Sequence, residues 1–233
     1  MSSNFACFVT GTDTGVGKTL ISAALLHALS WQGIKAAGMK PVAAGAEVRD
    51  GKLWNEDVAL LKAQASVNLP DALIAPCLFK EAAAPHVAAA LEGKAIDAGV
   101  LLDAYQQIAQ SAQAVVVEGV GGFRVPLNDH TDTADIAVAL QLDVILVVGL
   151  RLGCLNHALL TAEAITARGL QLAGWVANQI DPGMPHQTAN LEALSQRLPA
   201  PLLGVVPWMS TPSAEVAAGH LNFSRLAGWP AHR

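Results

Sequence analysis

Charge is scarce in this chain. Only 14% of its 233 residues are Asp, Glu, Lys or Arg, and the formal net charge is −5. Lysine and arginine total 14 and nowhere form a run. Tracking a nucleic-acid backbone takes clustered cations, so nucleic acid is excluded as a partner on electrostatic grounds. Cysteine is scarcer still. The three cysteines, Cys7, Cys77 and Cys154, are widely spaced and form no C-x-x-C pair. Such spacing supports neither a disulfide framework nor a zinc knuckle, and it fits a reducing, cytoplasmic compartment. Long apolar runs are also lacking. The strongest, Val144 to Leu150, stops at Arg151, far short of the roughly 20 residues a membrane span needs. The opening MSSNFACFV has no basic segment leading into a long apolar stretch, so it does not read as a signal peptide. No membrane partner is expected.

What the chain does have is apolar residues, 52% of the total, enough for a folded core. Short apolar runs alternate with amphipathic ones. Strands are expected at 5–9, 35–42, 114–117, 143–150, 173–178 and 202–206. Helices are expected at 18–31, 55–65, 86–92, 97–112, 133–141, 156–168, 186–197 and 213–220. Residues 66–83 carry prolines and read as irregular. Short buried strands alternating with helices predict an α/β fold, with a mostly parallel central sheet and helices on both faces. No linker, repeat or low-complexity segment interrupts the chain, so residues 1–233 read as a single domain of P-loop type, for the following reason.

The first expected strand runs into TGTDTGVGKT (10–19), which opens the first helix. Strand, glycine-bearing loop, then G-K-T at a helix start is the context of a phosphate-binding loop. Loop N–H groups and the helix N-terminus supply partial positive charge to phosphate oxygens. Lys18 is placed to reach the β- and γ-phosphates, and the Thr19 hydroxyl to hold Mg²⁺. The usual motif has four residues between its first glycine and the G-K pair, whereas here five separate Gly11 from Gly17.

Such a loop needs a further acid for its metal, commonly at the end of a buried strand. Glu118 ends the apolar run AVVVE, at the edge of a parallel sheet where ligands bind. Gly119, Gly121 and Gly122 follow and permit close backbone approach. Lys40, in GMKPVAAG (38–45), ends another strand at the same edge; alone it reads equally well as a solvated lysine. Asp57, in NED (55–57), falls in a helix first turn, where spacing alone makes it a helix-dipole acid. Asn178 ends GWVAN (174–178) and reads alone as a turn residue.

Together with APHVAAALEG (84–93), RLGCLNH (151–157) and PAPLLGVVPW (199–208), these segments resemble dethiobiotin synthetase, an ATP-dependent carboxylase family. The match runs over nearly the whole chain, and the family's own loop has the five-residue spacing. The resemblance implies that 7,8-diaminopelargonate takes up CO₂ as a carbamate. The carbamate attacks the γ-phosphate of ATP, and the second amine then closes a urea ring, giving dethiobiotin, ADP and phosphate. It implies nucleotide contacts from Gly15, Val16, Gly17, Lys18, Thr19 and Leu20, with Thr14 at the γ-phosphate. Asn178 and Pro207 would meet the adenine. Thr19, Asp57 and Glu118 would hold Mg²⁺, and Lys18 and Lys40 would serve the phosphates and the carbamate. Lys40, Ala44 and the stretch Gly153, Cys154, Leu155 and Asn156 would meet the substrate. That stretch would reach it from the other subunit of a homodimer, at the start of a helix near Asn156, where Asn156 also reads as a plain N-cap.

Three positions depart from the pattern: Ala44 where many relatives carry a hydroxyl, Gly15 where some carry glutamate, and Asn190 near a tyrosine of some relatives. A related amidating enzyme would need a glutaminase domain for which this length leaves no room. A partitioning-type ATPase switch would carry a lysine where this chain has Asp13. A silent paralogue that still binds nucleotide is the remaining alternative.

Overall fold

A computed structural model describes residues 5–230; the first four residues of MSSNFACFV lie outside them. The strands are β1 (Phe5–Gly11), β2 (Ala36–Met39), β3 (Val42–Ala43), β4 (Glu47–Arg49), β5 (Lys52–Trp54), β6 (Cys77–Leu78), β7 (Ala114–Glu118), β8 (Asp143–Gly149), β9 (Leu172–Asn178) and β10 (Leu202–Val206). The helices are α1 (Lys18–Trp31), α2 (Glu56–Gln64), α3 (Asp71–Ile74), α4 (Pro85–Leu91), α5 (Ala98–Ser111), α6 (Thr133–Leu140), α7 (Cys154–Ala167), α8 (Gln187–Arg197) and α9 (Ala214–Gly219).

Six strands form the central sheet in the order β10-β9-β8-β1-β7-β2. Every pairing in it is parallel. Alternate side chains of each strand serve opposite faces. Phe8, Val115, Val117, Leu146 and Trp175 pack with Ile108 of α5, Ala137 of α6, Ala158 of α7 and Leu194 of α8. Cys7, Val9, Val116, Ile145 and Val147 pack with Ile21 and Leu25 of α1 and Ala217 of α9. Helices therefore cover both faces, which is why these strands read as continuous apolar runs rather than alternating ones. Each fully buried Leu, Ile or Phe contributes about 1.5–3 kcal/mol.

The expected strand 35–42 is shorter than read. It ends at Met39, because Pro41 has no N–H for a ladder. Lys40 N–H turns away to donate to the Ile74 carbonyl, 2.7 Å. Val42 and Ala43 then pair in parallel with Cys77 and Leu78. The stretch read as irregular thus contains α3 and β6. A hairpin, β4–β5, was not expected at all. Its turn is Asp50-Gly51, both in left-handed conformation (φ 50° and 73°), and an Asp-Gly pair is a strong hairpin signal. Helix α7 begins at Cys154, with Gly153 as its cap at φ 94°. Asn156 therefore lies inside the first turn and is not the N-cap.

Because the strands are parallel, their carboxyl ends share one edge. The loops after β1, β2 and β7 meet there, and a crevice at that edge is where open α/β sheets bind ligands.

Candidate active site

Gly17 caps α1 in a left-handed conformation (φ 92°) without any side-chain cap. The first helical N–H groups are thus left for a ligand. Lys18 is 7% exposed and donates from Nζ to the Asp13 carbonyl, 3.0 Å. Burial, and then the nearby Lys40 charge, depress its pKa from 10.5 to about 8. Asp13 itself is held below the usual carboxylate range by the Thr14 N–H and by Arg151, whose guanidinium pairs with it.

Behind the loop entrance sits a charged triad. Lys40, 3% exposed, contacts Glu118 and lies 2.9 Å from Asp57 Oδ2. Burial disfavours the ammonium, but the Glu118 and Asp57 carboxylates outweigh burial and raise its pKa. Burial also opposes charge on Asp57, and Lys40 overcomes it, leaving the Asp57 pKa lowered. Asp57 reaches this place because Asn55 caps α2 and its side chain accepts from Val58 N–H, which sets Asp57 in the first turn.

Thr19 Oγ1 lies 2.8 Å from Asp57 Oδ1 and 2.8 Å from Glu118 Oε1. A hydroxyl has one proton, so it donates to only one of them at a time. Three oxygens thus converge on one point, and Glu118 Oε2 is buried with no hydrogen-bond partner. Hard oxygen donors with unspent lone pairs fit Mg²⁺, which takes one or two carboxylates and completes its shell with phosphate and water. Among the described residues no group of three or more His, Cys, Asp or Glu side chains could hold a metal. A metal here would depend on the Thr19 hydroxyl and on ligands outside the protein.

These groups line a cavity of about 820 Å³. Its wall includes Thr14, Gly15, Gly17, Lys18, Thr19, Lys40, Ala44, Asp57 and Glu118, all expected from the sequence. It also includes Gly121 and Gly122, expected to permit close backbone approach, and Ala82, Ala83, Pro85, Val120 and Val125, to which no role was attached. They lie in or beside APHVAAALEG (84–93) and the glycine-bearing stretch after Glu118, whose small residues were the available signal.

The other expected residues are not on this wall. Val16 is fully buried beneath the loop, and Leu20 packs partly buried toward the core shared by α1 and α9. Asn178, 5% exposed, donates from Nδ2 to the Val16 carbonyl, 2.9 Å. Pro207 follows β10 directly and is partly buried. Gly153 and Asn156 are exposed at the start of α7, Leu155 is partly buried, and Cys154 turns into the core at 2% exposure.

Fold and site together define a P-loop nucleotide-binding protein of the α/β class. A family model described as an AAA domain matches residues 6–216. Across its length, 234 aligned residues and 99% of each chain, the protein is 58% identical to the ATP-dependent dethiobiotin synthetase BioD of Janthinobacterium sp. (strain Marseille). The chain belongs to the dethiobiotin synthetase family. At the level of fold it is similar to the signal recognition particle receptor FtsY of Elizabethkingia anophelis in complex with GDP (TM-score 0.57, 16% identity). That match covers 97% of this chain and 64% of FtsY, so the chain spans under two thirds of that structure's length. The septum site-determining protein MinD of Pyrococcus horikoshii, complexed with Mg-ADP, matches with a TM-score of 0.54 at 16% identity, over 95% of this chain and 89% of MinD. At such identities the likeness is one of fold alone.

Proposed function

We propose that this chain is an ATP-dependent dethiobiotin synthetase that carboxylates and cyclises 7,8-diaminopelargonate. The observation that carries the reading is the convergence of Lys18, Thr19, Lys40, Asp57 and Glu118 on one cavity, in a chain 58% identical to a curated enzyme of that name. The loop N–H groups and Lys18 bind the ATP phosphates. Thr19, Asp57 and Glu118 hold Mg²⁺, which when bound neutralises phosphate charge and orients the γ-phosphoryl group.

The carbamate formed from CO₂ and one amine is an anion, and it must approach a polyanion. Lys40, the second buried cation of the cavity, offsets that repulsion beside the carbamate. A carbamate oxygen bonds to the γ-phosphorus as the bond to ADP breaks, giving a carbamic–phosphoric anhydride. The second amine then attacks the carbonyl carbon, the C–O bond to phosphate breaks, and the ring closes. Ala82, Ala83, Pro85, Val120 and Val125 suit the methylene chain of the substrate, which needs apolar cover and no hydrogen bonds.

The same reading makes the protein a homodimer in which Gly153, Leu155, Asn156 and the backbone of Cys154, whose side chain is in the core, meet the partner's substrate, with Asn178 and Pro207 near the adenine. Leu152 and Leu160 support the dimer. They are 95% and 56% exposed; Leu152 lies in the turn before the Gly153 cap, and Leu160 lies one helical turn beyond Asn156. A cytoplasmic location belongs to this reading too; among the described residues no helix is long and apolar enough to cross a membrane.

The test is phosphate release from MgATP with and without 7,8-diaminopelargonate and bicarbonate. Release that requires both, with one dethiobiotin per phosphate, is expected. In the same assay Lys40→Gln should lose turnover by about 10²–10³-fold while keeping nucleotide affinity. Hydrolysis that ignores the diamine would turn the reading toward a nucleotide switch. Nucleotide binding without any release would indicate a silent paralogue.

A further inference from the structure

Asn178 lies 162 residues from the loop it touches. It ends β9 and is 5% exposed. Its Nδ2 donates to the Val16 carbonyl at 2.9 Å. The peptide joining Val16 to Gly17 is planar and trans, so its carbonyl and the following N–H point to opposite sides. Holding the Val16 oxygen toward Asn178 therefore aims the Gly17 N–H the other way, and Gly17 forms part of the cavity wall.

The surroundings leave this peptide little freedom. A Cβ on Gly17 would lie 2.1 Å from Asn178 Nδ2. On the other side, Val16 is fully buried, and a Cβ on Gly149 or Gly11 would come within 2.9 Å and 2.6 Å of its side chain. Three glycines therefore make room for one peptide and the amide that holds it.

We propose that Asn178 is a positioning residue for the phosphate loop: it sets the Val16–Gly17 peptide so that the loop N–H faces phosphate, whatever base the nucleotide carries. This rests on the reading of residues 11–19 as the phosphate site. It goes beyond a role at the adenine, since a donor spent on a backbone carbonyl acts on the phosphates through the loop.

Inorganic tripolyphosphate separates the two roles, because it has phosphates and no base. Binding of Mg-tripolyphosphate and MgATP is measured by calorimetry for the wild type and Asn178→Leu, which keeps the shape and removes the donor. Loss of about tenfold for both ligands is expected, the order of one hydrogen bond to a buried carbonyl. A loss confined to ATP would make Asn178 a reader of the base and overturn the proposal, as would no loss for either ligand. Should Asn178→Leu not fold, hydrogen exchange of the wild-type Asn178 carboxamide decides. Protons protected without ligand, and still protected with tripolyphosphate, support the latch; exchange at the rate of a free amide overturns it. Failure of the wild type to bind tripolyphosphate would remove the phosphate-site reading, and the latch with it.

Discussion

Helices α1 and α7 begin alike. Each is 14 residues long, and each is capped by a left-handed glycine with no side-chain cap, Gly17 at φ 92° and Gly153 at φ 94°. The strands that lead into them, β1 and β8, are paired neighbours in the sheet. Yet only the first helix start lies in a walled cavity. Around Gly17 stand Lys18, Thr19, Glu118 and Lys40, and Asn178 presses from behind. A methyl group added at Gly153 would meet nothing within 4 Å, and the neighbouring Leu152 is 95% exposed. A glycine-capped helix start is a common local structure. Neighbouring strand ends turn it into a site. Strand β1 has β7 beside it, ending in Glu118, and β2 beyond, ending next to Lys40. Strand β8 has β9 on its other side, and the Asn178 that ends β9 is already committed to the first loop.

The largest test of this contrast pairs Gly17→Ala with Gly153→Ala. Both variants place a side chain at positive φ, costing about 1–2 kcal/mol, so both melting temperatures should fall, that of Gly17→Ala further because of the overlap at Asn178. Only Gly17→Ala also drives a methyl into Asn178. Its MgATP affinity should fall about ten- to a hundredfold, the order of one lost hydrogen bond to a charged phosphate, while that of Gly153→Ala stays near wild type. Equal affinities, read by calorimetry, would remove the distinction between the two helix starts.

A smaller effect follows from the depressed Lys18 pKa, about 8. As pH rises above that value the ligand-free loop loses its ammonium, and binding a polyphosphate must recover the proton. Affinity should then decline by up to about tenfold per pH unit until the bound-state pKa is reached. Stability has the opposite sign. An unfolded lysine keeps its proton to about 10.4, so between roughly pH 8 and 10.4 the unfolded state binds more protons and the ligand-free fold gains from rising pH. Lys18→Met should flatten both trends. A binding curve unchanged from pH 7 to 9.5 in the wild type would refute the assignment.

The smallest effect concerns the tie between the two loops. Arg151 and Asp13 form an ion pair with both side chains substantially exposed (40% and 47%), and such pairs contribute less than about 1 kcal/mol. Arg151→Ala should leave the denaturation midpoint nearly unchanged. A loss above about 2 kcal/mol would mean that the pair braces the loop.

Much of the site was readable along the chain. TGTDTGVGKT is contiguous, and its strand–loop–helix context comes from the same residues. Glu118 announced itself as a carboxylate closing an apolar run. Asp57 did not; its first-turn position has an ordinary explanation in the helix dipole, and only family resemblance raised it to a metal ligand. The Asp50-Gly51 turn carried a hairpin signal that the strand pattern failed to exploit, because β4 and β5 have three residues each and too few alternations to read. The helix expected from 156 starts at Cys154 instead, and the alternative reading of Asn156 as its N-cap fails, because a left-handed glycine can start a helix without a polar side chain.

Alternation of apolar strands with amphipathic helices, and glycines where the backbone must turn left-handed, are local properties, and the sequence by itself determined them. They determined the α/β class, the phosphate loop and the strand-end acid. Contacts between residues far apart in the chain were decided only by the tertiary structure. Thr19 meets Asp57 across 38 residues and Glu118 across 99, and Asn178 meets Val16 across 162. Periodicity shows which face of a strand is buried but not which strands lie side by side. The order β9-β8-β1-β7-β2 brought Glu118, Lys40 and Asn178 to the two sides of a single loop.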